Sequence, residues 1–511
     1  MPIQPSRALP ARPDLDQQKK LAKELLAVFH NGDPESNRRI RRHLPDKPDI
    51  TLADAQFVLA REYGFENWSA LKAHIAEASG LEPVEQFRLA VEHGRIDDVR
   101  RVLMQHDAAR DAINAPLFSF GGRAIHTART PAMIDVLIEF GADVNLRSDW
   151  WAGPWHVLHG ASGSLADHLL ARGAEPDACA AASLDRIELL TRLLEENPAR
   201  AGERGGDGQT PLHFARSREV IDLLLERGAD IDARDVDHRG TAAEWMLDHR
   251  RGAGRFALAE YLVQRGAYAD IFLAAALGRL DRIQELVLQD PAVLELRTTQ
   301  GDYAEKPPSS FHIYMWTIGA NLSPLQVAAQ FQQDTAVAVL GALASPRQRF
   351  VAACALARSD EARALVARNP DLVSSLTPEE QRALPDAAWS GNARAVALML
   401  ELGFDPFTPG QDTGTVLHCA AWEGDVACTR AVLSHSAARQ LVATRDATHG
   451  GTPLDWCCHG SIHCRHGNYP EVARLLLAAG AVPIVNYADV PREVRAVIED
   501  ASAGGHRRRT R

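Results

Sequence analysis

The chain has 511 residues, a formal net charge of −11, 46% hydrophobic and 24% charged residues. That acidic balance argues against general attraction to nucleic acid or acidic membranes, and no apolar run reaches the roughly 18 residues of a membrane span. The length exceeds the usual single globular core, whereas a stacked array of small units grows without needing one.

Residues 1–17 are rich in proline, arginine and polar side chains and read as a disordered leader. They lack the continuous apolar stretch of a secretory signal, so a cytoplasmic location is expected. The seven cysteines (Cys179, Cys354, Cys419, Cys428, Cys457, Cys458 and Cys464) are odd in number and sit mostly inside helical patterns, which suits a reducing compartment. Apolar residues recur at helical spacing over 21–29 and 53–63. FENWSALKAHI at 65–75 adds a third helix capped by Asn67, so 18–80 reads as a small helical N-terminal cap. A DNA-contacting helix-turn-helix there lacks a basic recognition face.

An array is expected over 82–484. Its clearest unit is TPLHFARSREVIDLLLERGADID at 210–232. A proline in the first helical turn loses no hydrogen bond, Leu212, Val220, Leu223 and Leu224 supply apolar faces, and Gly228 closes the unit in left-handed geometry. Similar ends occur at GADVN (141–145), GAEPD (173–177), GAYAD (266–270), GFDPF (403–407) and GAVPI (480–484). Degenerate ends are HDAAR (106–110), ENPAR (196–200), QDPAV (289–293), ASPRQ (344–348), RNPDL (368–372) and SHSAA (434–438); a following proline forbids helix continuation in several of them. Together they predict about twelve units of about 33 residues. Residues 485–511 read as a closing amphipathic helix and a basic tail.

TPLHxA followed by LLLxxGADI resembles the ankyrin repeat. The resemblance covers about four-fifths of the chain. It implies an all-α ankyrin-repeat solenoid of about twelve helix-turn-helix units behind a small helical N-terminal cap. It is specific for fold and says little of function. The stretch LADAQFVLAREYGFENWSALKAHI at 52–75 resembles a leader found ahead of such arrays in bacterial proteins. In the ankyrin pattern the histidine of TPLH is structural, which covers His213 and His418, with His126 and His156 in looser copies. Glu244 and Asp455 stand at the equivalent place.

Three segments break the rhythm, and insertions in a solenoid map to loops that often bind. SDWWAGPWHVLHGASG at 148–163 gathers Trp150, Trp151 and Trp155 with His156 and His159. The insertion at 298–322 contains FHIYMWTIG, where His312, Tyr314 and Trp316 alternate; an extended segment would put all three on one side, as a hairpin or lid. Similar inserts accompany the same leader in bacterial ankyrin proteins. The third segment, 457–472, lengthens the last full unit.

Aligned on AAxxG, Trp389, Trp422 and His459 occupy one position in three successive units, which the resemblance implies lines the concave groove. With Trp456 they form an expected aromatic centre for binding, flanked by Trp150, Trp151, Trp155 and Trp316.

Two readings follow. In the first, the groove recognises a protein or peptide partner. In the second, the 298–322 insertion closes over the groove to form an acid/base pocket for a small molecule, using His312, Tyr314, Asp237, Glu244 and His459. Cys457, His459, His463 and Cys464 offer enough donors for zinc, but their spacing is not that of a zinc knuckle, and a packed-thiol reading stands beside it. No GxSxG elbow, P-loop, GxGxxG or HExxH is present, so neither a named catalytic class nor a cofactor is implied.

Overall fold

The computed structural model describes residues 15–508 apart from 31, 46, 48–49, 69, 73–74, 76–81, 248–252, 465 and 483–489. Residues 1–14 of the leader expected over 1–17, the end of GAVPI and the last three tail residues therefore lie outside the described residues, while 15–17 begin the helix Leu15–His30. Among the described residues, no β-strand forms; the extended pairing is limited to isolated bridges such as Arg234 with Thr241. The chain divides into two units, Met1–Pro176 and Asp177–Arg511.

The first unit opens with helices Leu15–His30, Pro34–His43 and Leu52–Glu62, which pack on one another. Local chemistry sets their starts. Asp33 accepts from the Ser36 N–H at 2.7 Å ahead of Pro34, and Thr51 and Asp54 form a reciprocal capping box. Ala22, Leu59, Tyr63 and Leu71 make one small core, and Leu25, Ile40, Ala55 and Val58 another. At the third expected helix Asn67 Oδ1 accepts from the Ala70 N–H at 2.9 Å, the bond of an N-cap. Two-helix units then follow, beginning with Pro83–Glu92 and Ile96–Gln105.

In the second unit the same element recurs, as in Pro211–Phe214 with Arg218–Glu226 and Val416–Trp422 with Val426–Leu433. Several helices open on a Ser or Thr whose partner three residues on reaches back to the cap. That partner is His213, Glu244, Gln326, Gln348, Glu380, His418 or Asp455. Asp177 and Asp270 instead themselves cap Ala178–Ser183 and Ile271–Ala276. Histidine does more than cap. His213 Nδ1 accepts from the Thr210 N–H at 3.1 Å while Nε2 donates to the Gly240 carbonyl at 3.0 Å, tying one unit to the next. His418 repeats this with Thr415 and Gly451.

The glycine ends work by the expected geometry. Gly228 has φ +86, its N–H reaches Leu225 O, and the Ala229 N–H reaches Leu224 O, closing the helix. At the degenerate ends Asn197 and Asp290 are extended ahead of proline and cap the following turn themselves, accepting from Ala199 N–H and Ala292 N–H. ASPRQ ends one helix and opens the next: Asp334–Leu343 closes at Ala344, whose N–H reaches Leu340 O, and Ser345 caps Pro346–Ala355, accepting from the Gln348 N–H at 3.3 Å.

One correction concerns His156. The position equivalent to His213 is taken by His159, whose Nδ1 accepts from the His156 N–H at 3.2 Å. The cap lies at residue 156, and the third residue beyond it carries the ring. His126 does follow the pattern, accepting from Arg123 N–H and donating to Trp155 O.

Candidate functional site

Trp389, Trp422 and His459 stand at the ends or outer turns of three successive first helices, Ala383–Trp389, Val416–Trp422 and Pro453–His463. Trp389 and Trp422 lie parallel, with centroids 6.1 Å apart and 11° between planes. Trp456 meets Trp422 nearly at right angles, at 75°, and His459 lies 5.4 Å from the Trp422 centroid. Parallel faces closed by a perpendicular ring and a tilted imidazole bound a cavity of about 570 Å³, whose rim also carries Asp412, His449, Gly450, Gly451 and Asp455. Trp389 and Trp422 are half-buried and His459 is exposed. Trp456 is 6% exposed and donates its indole N–H to Asp446 at 2.9 Å, so it forms the wall of the site. It fits because residues 414 and 451 are glycine: a Cβ at Gly414 would come within 2.6 Å of the Trp456 ring.

Burial, followed by the charges of His463 and His449, holds His459 below the usual imidazole range. Burial alone would raise Asp446, but hydrogen bonds from the His449 N–H, the Trp456 indole and the Gly451 N–H outweigh it and hold the carboxylate low.

Sequence reasoning missed the framework around Trp456, although its signal was present. RDATHGGTPLDW at 445–456 repeats RDVDHRGTAAEW at 234–245 as Arg-Asp-x-x-His-x-Gly-Thr-x-x-acid-Trp. The two copies fold identically in their bonds. Asp235 accepts from His238 N–H, Gly240 N–H and the Trp245 indole; Asp446 accepts from His449 N–H, Gly451 N–H and the Trp456 indole. Arg234 NH1 donates to Arg239 O at 2.7 Å and Arg445 NH1 to Gly450 O at 2.6 Å.

The 298–322 insertion lies on the first copy. Ile313 N–H donates to His238 O at 3.1 Å, and Ile313 sits over Gly240, where a Cβ would be 2.4 Å from its side chain. Tyr314 OH lies 2.8 Å from Asp270 and 3.2 Å from Glu244, Tyr303 OH donates to the other Asp270 oxygen at 2.8 Å, and His312 Nε2 is 3.6 Å from Glu244. Asp237 accepts from the Ser310 N–H at 3.0 Å. Burial and the Asp270 charge push Glu244 up to about 8, and burial, then Arg234 and Arg239, push His312 down to about 3.

Two expectations change here. FHIYMWTIG is not extended: Tyr314–Thr317 is a helical turn closed by Ile318 N–H and Gly319 N–H on Tyr314 O. His312 and Tyr314 consequently point inward, while Trp316 is exposed and lies tilted against His238, with centroids 4.4 Å apart. Of the acid/base set, His312, Tyr314 and Glu244 converge, while Asp237 bonds the Ser310 N–H and lies beside His238; all four are at most 3% exposed. His459 has different ring neighbours, Trp422 and His463.

In the first unit Trp155 lines a separate cavity of about 450 Å³ with Phe118, Phe120, His126 and Arg129. Trp150 packs against Phe120 at 4.9 Å and Trp151 is exposed. Of the zinc set Cys457, His459, His463 and Cys464, Cys457 is buried in the core with its Sγ directed at Tyr469 O and burial raising the thiol, Cys464 is half-buried, and His459 and His463 are exposed beside Trp422. Successive helical positions diverge by about 100°, which separates Cys457 from the two histidines.

No helix among the described residues is long and apolar enough to cross a membrane. The ankyrin-repeat family model matches residues 207–236. The chain is 30% identical over 119 residues to ankyrin repeat and SAM domain-containing protein 6 of Mus musculus, covering 23% of this chain and 13% of that protein. The Rattus norvegicus counterpart is 29% identical over 119 residues. The chain thus spans a small part of the length of these relatives. The human ASB11 ankyrin repeat domain is 17% identical and aligns with a TM-score of 0.25, covering 61% of this chain and all of that one. The matched segment, 207–236, holds the Thr210 cap, the bridging His213 and the Gly228 end; it is an ankyrin repeat, and these same devices recur along the all-α array.

Proposed function

We propose that this is a binding protein that docks a protein or peptide partner in the pocket formed by Trp389, Trp422, Trp456 and His459. The observation that carries the reading is the assembly of aromatic rings from three successive repeats around one open cavity of about 570 Å³. Large rings with accessible faces are the usual energetic anchors of interfaces, and no packing need of the repeat itself requires tryptophan here, since other first helices end on residues such as Ser183 or Gln330. Trp150, Trp151, Trp155 and Trp316 supply further contacts in this reading. A cytoplasmic, bacterial setting belongs to the same proposal; the seven free cysteines support the reducing compartment.

The test is affinity capture from the native host with the wild-type chain and a Trp389→Ala/Trp422→Ala double variant. Loss of captured partner with an unchanged helical circular-dichroism signal supports the proposal, and equal capture by both proteins sinks it.

A further inference from the structure

The twin framework says what the pocket takes. At the first copy, the groups that the insertion covers are the His238 carbonyl, Arg239, Gly240 and Glu244. Their counterparts at the second copy are His449, Gly450, Gly451 and Asp455, all of which line the open pocket. The first copy is filled by the chain's own residues and the second is vacant. Two substitutions remove tethers seen at the first copy: Arg239 NH2 bonds Ala304 O and Ser310 O and Asp237 accepts from Ser310 N–H, whereas the counterparts are Gly450 and Thr448.

Charge distinguishes the vacant copy. Glu244 meets a tyrosine hydroxyl, and burial keeps it protonated. Asp455 uses Oδ2 for Thr452 and its Oδ1 has no hydrogen-bond partner among the described residues; Asp412 is exposed, 4.0 Å from His449. Among the described residues lining the pocket none is lysine or arginine. An anionic occupant would face two carboxylates, and an apolar one would strip them of water without replacing its hydrogen bonds. A cation between tryptophan faces and carboxylates satisfies both.

We propose, building on the docking reading above, that the pocket binds a basic segment of a partner in the manner the insertion binds its own copy. An aliphatic side chain sits over Gly451, its backbone N–H donates to the His449 carbonyl, and an adjacent lysine or arginine reaches Asp455 and Asp412 along the open side of the Trp422 and Trp456 rings. Asp455 is one methylene shorter than Glu244, so the occupant supplies the reach.

The experiment uses two fluorescein-labelled decapeptides: the insertion's own residues 309–318, and the same peptide with arginine in place of Tyr314. Binding to the full chain is read by fluorescence anisotropy. The arginine peptide is expected to bind at least ~10-fold more tightly than its parent, a preference of the size a desolvated cation–π contact with a charge-assisted hydrogen bond supplies. Asp412→Asn should remove most of that preference. Asp412 has φ +45, a region asparagine also tolerates, so this change removes charge and leaves the backbone in place. Trp422→Ala should weaken both peptides. Equal binding of the two peptides, or a preference unaffected by Asp412→Asn, overturns the charge assignment. Failure of both to bind at about 1 mM, a free-energy scale near the weakest specific contacts, overturns the twin-site inference. Capture that still depends on Trp389 and Trp422 would then leave the docking reading standing alone.

Discussion

The Nε2 of His213 donates to the carbonyl of Gly240 across 3.0 Å, so a ring that caps its own helix also fastens the next repeat. Burial pushes this imidazole down to about 4, and His126, in the same role, down to about 4 as well. An ordinary histidine protonates near 6.5. The unfolded chain therefore takes up these protons first, and stability present above pH 6.5 is lost as pH falls toward 4, by on the order of 3 kcal/mol per ring. His213→Gln retains a capping side chain, as Gln326 and Gln348 do naturally. It should flatten the pH dependence of the urea midpoint between 6.5 and 4; an unchanged slope would exclude His213 as a contributor.

Glu244 titrates in the opposite sense. Its folded pKa is raised to about 8, first by burial and then by Asp270, so it favours the fold fully below about 4.5 and increasingly opposes it as pH rises toward 8. Glu244→Gln keeps a side-chain oxygen for the Thr241 N–H and should stabilise the chain by on the order of 1–3 kcal/mol at pH 8, with little effect at pH 4. Thermal melts at the two pH values check this. Stabilisation of equal size at both would point to packing instead of charge.

Much of this was legible in the sequence, and for a physical reason. Caps, helix faces and glycine ends are set by residues within a few positions of each other, so Thr210, His213 and Gly228 could be read directly. The register of Trp389, Trp422 and His459 was also local, once measured against the repeat. The shape of FHIYMWTIG was not, because Ile313 is placed by Gly240 and His238, some seventy residues earlier, and that contact overrides period-two alternation. The wall at Trp456 was hidden differently. Its meaning depends on Asp446 ten residues upstream, and only a comparison of 445–456 with 234–245 exposes the pair.

Gly414 should not tolerate a side chain. A Cβ there would lie 2.6 Å from Trp456 and 2.9 Å from the His418 Cβ. Gly414→Ala is expected to cost ~1–3 kcal/mol, as overpacking typically does, and to alter the near-ultraviolet dichroism of the tryptophans. A second variant carrying Trp456→Phe should recover part of the loss; no recovery would mean the clash with His418 dominates.

Occupancy of the pocket by a basic segment should depend on pH through His459. Its imidazole is held below its ordinary range by burial and by His463 and His449, so it gains charge only at more acid pH than an ordinary histidine. Protonation beside Asp412 and Asp455 would compete with a cationic ligand, and affinity for the arginine peptide should fall several-fold between pH 7 and pH 5. His459→Gln should reduce this loss. A fall of equal size in that variant would exclude His459 as its source.

The central claim is that the rings of Trp389 and Trp422 dock a partner. It is tested most directly by quantitative affinity capture from the native host, comparing the wild-type chain with Trp389→Ala/Trp422→Ala at matched helical content. The account predicts a partner recovered by the wild type and reduced at least ~10-fold with the double variant, since each lost anchor ring removes on the order of 1–2 kcal/mol or more. Equal recovery of the same partner by both proteins would contradict it.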